Sequence, residues 1–217
     1  MNIAVLCSGR GSNLQAIIDK VKSGYIPARI AVVISDNPEA YALKRAEAAG
    51  IEALVVDPSG YASREDFDRA VVAELKRRGA ELVVLAGFMR ILSPYFVKEY
   101  KRRILNIHPA LLPAFKGVHG IKDALAYGVK VTGPTVHFVE DELDGGAIIL
   151  QSPIDIERDD TEESLLERVH AEEHKIYPKA IKLFVEGKLK QEGRKVYIKD
   201  EDKDNSESGK GDIGFEG

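Results

Sequence analysis

Apolar and polar positions follow two regimes along this chain. Up to about residue 90, short apolar runs alternate with longer amphipathic stretches. "NIAVLC" (residues 2–7), "RIAVVIS" (29–35), "EALVV" (52–56) and "ELVVLAG" (81–87) read as buried strands. Between them, "NLQAIIDKVKSG", "AYALKRAEAAG" and "SREDFDRAVVAELKRRG" carry apolar residues at helical spacing, and each closes on a glycine. Ser63 and Asp66 are spaced as a capping box for the third helix. Strands and helices in alternation with short connections imply parallel strands joined by right-handed crossovers.

The second regime is irregular. A short helix near 93–100 leads to a strand, "ILNIH". "VKVTGPTVHFV" and "GAIILQSPIDI" read as two strands joined by the hairpin-like loop "EDELDGG". A long helix spans about 161–186, with a kink expected at Pro178. "KLKQEGRKVYIK" reads as a terminal hairpin. The expected architecture is a single Rossmann-like α/β domain over residues 1–200. Its sheet is mostly parallel and flanked by helices, with antiparallel strands in the C-terminal half.

Charge changes the picture at the end of the chain. The formal net charge is −4, yet residues 200–217 hold seven acids against two lysines, leaving the rest near +1. Residues 201–217 are therefore expected to form an acidic, disordered tail. No clustered basic face suggests nucleic acid, and no apolar run approaches the length of a membrane span. A single cysteine, Cys7, allows no internal disulfide and fits a reducing compartment, so a cytoplasmic location is expected.

Candidate chemistry starts at "LNIHPALLPAFKG". Alternation along a strand puts Asn106 and His108 on one face, and Pro109 ends the strand there. Open α/β sheets bind ligands at that carboxyl edge. "CSGRGSN" joins the first strand to the first helix, so Gly11, Ser12 and Asn13 turn their amides outward at a helix N-terminus, a place for an anion. A dinucleotide reading matches Gly9, Gly11 and Asp36, but its third glycine position is Leu14. A single phosphate monoester suits the short loop better, and a plain tight turn without ligand is the bland alternative. Among the histidines, His119 lies in a glycine-flanked loop, and His137, in mid-strand, reads as a structural residue. "HAEEH" has the spacing of inverse zincins at His170 and His174, yet no third ligand is evident and the helix is highly charged. The acids of "EDELDGG" read as a solvated turn, although one of them, flanked by glycines, can meet His108.

Taken together, "SGRGSNLQAII", "LAGFMRIL", "LNIHPALLPAFKG", "TVHFVEDELDGGAIILQ" and "EEHKIYP" resemble the phosphoribosylglycinamide formyltransferase family, collinearly from residue 2 to about 188. Ala110 stands where the family pattern has Ser, and the acidic tail matches nothing in it. The resemblance implies a catalytic trio of Asn106, His108 and Asp144. It also implies that Gly11, Ser12 and Asn13 hold a substrate phosphate and that Glu173 meets its ribose. Arg64, Met89, Arg90, Ile91 and Leu92, with Asn106, are implied as folate-binding positions. The implied reaction moves a formyl group from 10-formyltetrahydrofolate to the amine of 5-phosphoribosylglycinamide, without metal or NAD, in a monomer or homodimer. Methionyl-tRNA formyltransferase and formyltetrahydrofolate hydrolase are related alternatives, usually with extra domains. A nucleotide-binding regulator without chemistry is the alternative of another class.

Overall fold

The four N-terminal apolar runs form strands because their branched side chains pack on both sides of a sheet. In the computed structural model, which describes residues 1–199, these are β1 (Asn2–Cys7), β2 (Arg29–Ser35), β3 (Ala53–Val55) and β4 (Leu82–Leu85). β5 (Ile104–His108), β7 (Thr135–Phe138) and β8 (Ile148–Gln151) complete a seven-stranded sheet of order β3-β2-β1-β4-β5-β7-β8. β1 pairs in parallel with both β2 and β4, so the strand order reverses beside it. β7 and β8 pair antiparallel.

Alternation along β1 divides the core in two. Ile3 and Val5 pack with residues of α1 (Ser12–Lys22), α2 (Tyr41–Ala48) and α6 (Glu162–Val185). Ala4 and Leu6 pack with α3 (Arg64–Arg77) and α4 (Pro94–Glu99). Cys7 is fully buried, and burial pushes its thiol pKa up to about 12, as befits a small core side chain. Tyr177 of α6 sends its hydroxyl to the carbonyls of Leu85 and Leu105, 2.8 and 2.9 Å away. That contact fixes α6 against the carboxyl end of β4 and the start of β5.

Three details differ from the sequence reading. Each of the two C-terminal strands is broken: β6 (Val131–Thr132) precedes β7, and β9 (Ile154–Asp155) follows β8, the two short strands pairing separately. Gly133–Pro134 and Ser152–Pro153 interrupt them, since proline cannot donate to a ladder. α5 (Gly120–Tyr127) was not anticipated; it is short and starts at His119 without a side-chain cap. The capping box expected at Ser63 is half formed: its hydroxyl accepts from the Asp66 amide and donates to the Asp66 carboxylate. The reciprocal box occurs at Thr161 and Ser164 instead. α6 runs through Pro178 as one helix, followed by the hairpin β10 (Leu189–Glu192) and β11 (Lys195–Ile198). The proposed tail, 201–217, lies outside the described residues.

Candidate active site

At the β1–α1 turn the chain has little choice of residue. Gly11 has a φ of 70°, and a Cβ there would lie 2.7 Å from the Ala42 Cβ. It caps α1 without a side chain, so the first-turn amides, those of Ser12 and Asn13 among them, lack a side-chain cap. Leu14 is fully buried in the core, filling the place where a dinucleotide fold needs its third glycine. Beside this turn, Glu173 accepts a 2.7 Å bond from Asn13 Nδ2, with both side chains buried. Burial raises the Glu173 pKa to about 7, and the bond from Asn13 opposes that rise. The oxygen of the buried Asn13 amide, Oδ1, has no partner among the described residues. His170 and His174 stack 6.4 Å apart, and burial lowers both pKa values. Glu173, between them in sequence, turns to Asn13 and lies 4.0 Å from His170 Nε2. Among the described residues no group of three ligands fit for a metal occurs.

The second cluster grows from β5 and β7. Leu105 and Ile107 join the core, so Asn106 and His108 face the other way, as alternation requires. Antiparallel pairing sets His137 opposite Asn106 and Thr135 opposite His108. Thr135 Oγ1 donates to the Ala110 carbonyl and accepts from the Leu112 amide, tying down the chain that leaves β5. Asp144 has a φ of 48°, in the left-handed region that Asp tolerates better than most residues. Gly146, two residues on, is obligatory, since a Cβ there would sit 1.8 Å from the Phe138 carbonyl. This turn aims the carboxylate between two imidazoles. Asp144 Oδ2 lies 3.6 Å from His108 Nδ1, and Oδ1 lies 3.7 Å from His137 Nε2. Gly117 donates its amide to Asp144 Oδ2 at 2.8 Å. His108 Nε2 is 2.8 Å from the Phe115 carbonyl, so both of its ring nitrogens face oxygens.

Asn106, His108, His137 and Asp144 line one cavity of about 240 Å³. Met89, Arg90, Ile91 and Leu92 line it too, as do Val97, Val139 and the 140–143 loop. Its wall is largely apolar with a few polar groups, a form suited to a small organic ligand. Arg90 packs its guanidinium 4.9 Å from the centre of the Phe67 ring. Arg64 is not part of the lining; it starts α3 and acts electrostatically, like Arg90, on the buried Asp68. The two clusters are joined through β1 and β4, because Ser8 takes the Met89 amide at 2.9 Å and donates its own amide to the Gly87 carbonyl.

The structure thus gathers Asn106, His108 and Asp144 at one place and Gly11, Ser12, Asn13 and Glu173 at another. His137, read as a structural histidine, is buried with both ring nitrogens partnered, and it also lines the cavity of the first group. A signal existed: in "TVHF" the polar residues alternate with apolar ones, as they do in "LNIH".

The chain matches the formyl transferase family over residues 1–181. It is 46% identical over 198 residues to phosphoribosylglycinamide formyltransferase of Escherichia coli (strain K12), covering 91% of this chain and 93% of that one. It is 48% identical over 187 residues to the trifunctional purine biosynthetic protein adenosine-3 of Gallus gallus, covering 86% of this chain and only 19% of that longer protein. Among solved structures it resembles glycinamide ribonucleotide transformylase 1 from Symbiobacterium toebii, with 52% identity and a TM-score of 0.91 over 92% of this chain and 94% of that one.

Proposed function

The chain belongs to the formyl transferase family, and from that premise we propose that it moves the formyl group of 10-formyltetrahydrofolate to the amine of 5-phosphoribosylglycinamide, in purine biosynthesis. The observation that carries this reading is the approach of Asp144 to His108 beside Asn106, all three lining one largely apolar cavity. Both reactants are small molecules. No helix among the described residues is long and apolar enough to cross a membrane, and the work is assigned to the cytoplasm.

The neutral glycinamide amine attacks the formyl carbon, and the formyl oxygen becomes an oxyanion. Asn106 donates an N–H to that oxygen and His108 a second, charged donor. Asp144, 3.6 Å from Nδ1, orients the ring. Nε2 is then the nitrogen that meets the oxyanion, which displaces the Phe115 carbonyl now 2.8 Å away. Collapse of the intermediate breaks the bond from carbon to folate N10. The amine's proton ends on N10, with His108 as the shuttle, either directly or through a water. The products are the formamide and tetrahydrofolate.

The substrate phosphate is assigned to the first-turn amides at Gly11, Ser12 and Asn13, and a ribose hydroxyl to Glu173. The folate is assigned to Met89, Arg90, Ile91, Leu92 and Asn106, with Arg64 reached from the mouth of the cavity. The test is formyl transfer itself. The purified protein is offered 10-formyltetrahydrofolate with glycinamide ribonucleotide, with initiator tRNA, or in buffer alone. Consumption that depends on the ribonucleotide is expected. Equal consumption in buffer alone would turn the reading into a hydrolase.

A further inference from the structure

We infer that His137 is a positioning residue: as a neutral, fixed tautomer it holds the Asn106 amide so that an N–H faces the reacting formyl oxygen. This rests on the reading of Asn106 as an oxyanion donor.

The geometry carries the argument. His137 Nδ1 lies 2.8 Å from the carbonyl oxygen of Phe138. A carbonyl only accepts, so Nδ1 carries the proton. A neutral ring then leaves a lone pair on Nε2. Asn106 Nδ2 stands 3.1 Å from that atom, and only the amide's NH₂ group satisfies a lone pair there. One of its two hydrogens is used on His137, and the other remains for the cavity that Asn106 lines. If the amide turned over, its oxygen would meet the lone pair of Nε2, and the oxyanion would face a carbonyl. The cross-strand register of β5 and β7 fixes this pairing in the backbone.

Three neighbours bear on the charge of His137. Asp144 and Glu140, both on the segment between β7 and β8, favour the imidazolium, while His108 of β5 opposes it. Burial outweighs them and lowers the pKa, keeping the ring neutral. Asp144 stands between the two rings, 3.7 Å from His137 Nε2 and 3.6 Å from His108 Nδ1, beyond hydrogen-bond length from either, so the hydrogen-bond partner of His137 Nε2 is the Asn106 amide at 3.1 Å.

Two measurements test the assignment. Nitrogen-15 NMR of the histidine rings in the substrate-free wild-type protein should report His137 as the Nδ1–H tautomer at neutral pH. An Nε2–H tautomer or an imidazolium would overturn the proposal, and this readout needs no substrate and no variant. In kinetics, His137→Gln keeps an acceptor near Asn106 and should stay within about threefold of wild-type kcat. His137→Phe keeps volume but no acceptor and should lower kcat by about tenfold, with both KM values little changed, a fraction of the loss typical of removing an oxyanion donor. Equal losses in the two variants, or none in the Phe variant, would mean that His137 only packs. Failure of formyl transfer by the wild-type protein would count against the proposed function instead and leave the tautomer result standing.

Discussion

At the β1–α1 end of the sheet the candidate binding groups are backbone amides, held by a glycine that no other residue replaces without collision. At the β5–β7 end they are side chains: an amide, two imidazoles and a carboxylate drawn from segments up to 38 residues apart, Asn106 to Asp144. The difference follows from the strands. In the parallel half, a crossover delivers a helix start to the carboxyl edge with its amides free, so an anion site comes with the fold. In the antiparallel half, pairing sets side chains opposite each other on one face, which suits charge developing at a single atom. Changes at the side-chain end should therefore appear mainly in kcat, and changes at the backbone end mainly in substrate affinity.

The largest effect is expected at the side-chain end. His108→Ala should lower kcat by roughly 100–1,000-fold, the usual loss of an oxyanion donor, and Asp144→Asn by a comparable factor through the ring it orients. Steady-state kinetics on protein with native circular dichroism measures this, and a near-normal kcat would remove the residue from the mechanism. Next comes the frame around Asp144. Gly146→Ala must move the Phe138 carbonyl, and should destabilise the fold by at least about 3 kcal/mol in chemical denaturation.

The backbone end is tested through Glu173. Its folded pKa of about 7 lies above the ordinary value of 4.5, so between these values the native state holds the proton that the unfolded chain has lost. Stability should fall as pH rises through that window and level off above it, by up to about 3 kcal/mol at 1.36 kcal/mol per unit. Glu173→Gln should flatten this profile, while raising the KM of the phosphorylated substrate and sparing that of the folate. An unchanged profile would mean that the carboxyl is ionised throughout. Arg90→Ala should show the reverse preference, with a folate KM up about tenfold, near 1.4 kcal/mol. Equal losses for both ligands would dissolve the division between the ends. Lys116→Ala removes the 2.6 Å pair with Glu142; that carboxylate is exposed, so the midpoint of chemical denaturation should hardly move.

The same contrast explains what could be read from the sequence. "CSGRGSN" is legible because its helix start is local: glycine, strand and helix adjoin in the chain. Asn106 and His108 are legible because two residues on one strand share a face. His137 is not, since its meaning depends on the register between β5 and β7, which no local pattern encodes. The broken strands were misread for a related reason. Pro134 and Pro153 stand in runs of otherwise good strand formers, and only the pairing of β6 with β9 shows that the chain changes sheet there. Asp144 came from the family resemblance, since any of the four acids in "EDELDGG" fits the spacing; the structure distinguishes it by its positive φ and its bond from Gly117.

The turn that aims Asp144 also bears on how the protein ages. Asp–Gly is a sequence prone to cyclise, the glycine nitrogen attacking the side-chain carbonyl carbon to give a succinimide and then isoaspartate. Here the Gly145 amide is engaged by the Glu142 carbonyl at 3.0 Å, and the carboxylate is held by the Gly117 amide at 2.8 Å. Neither reacting atom is free to swing toward the other. The hydrogen bonds that orient the carboxylate thus also slow its chemical decay, and loosening of the 140–144 loop would expose the residue to both losses at once.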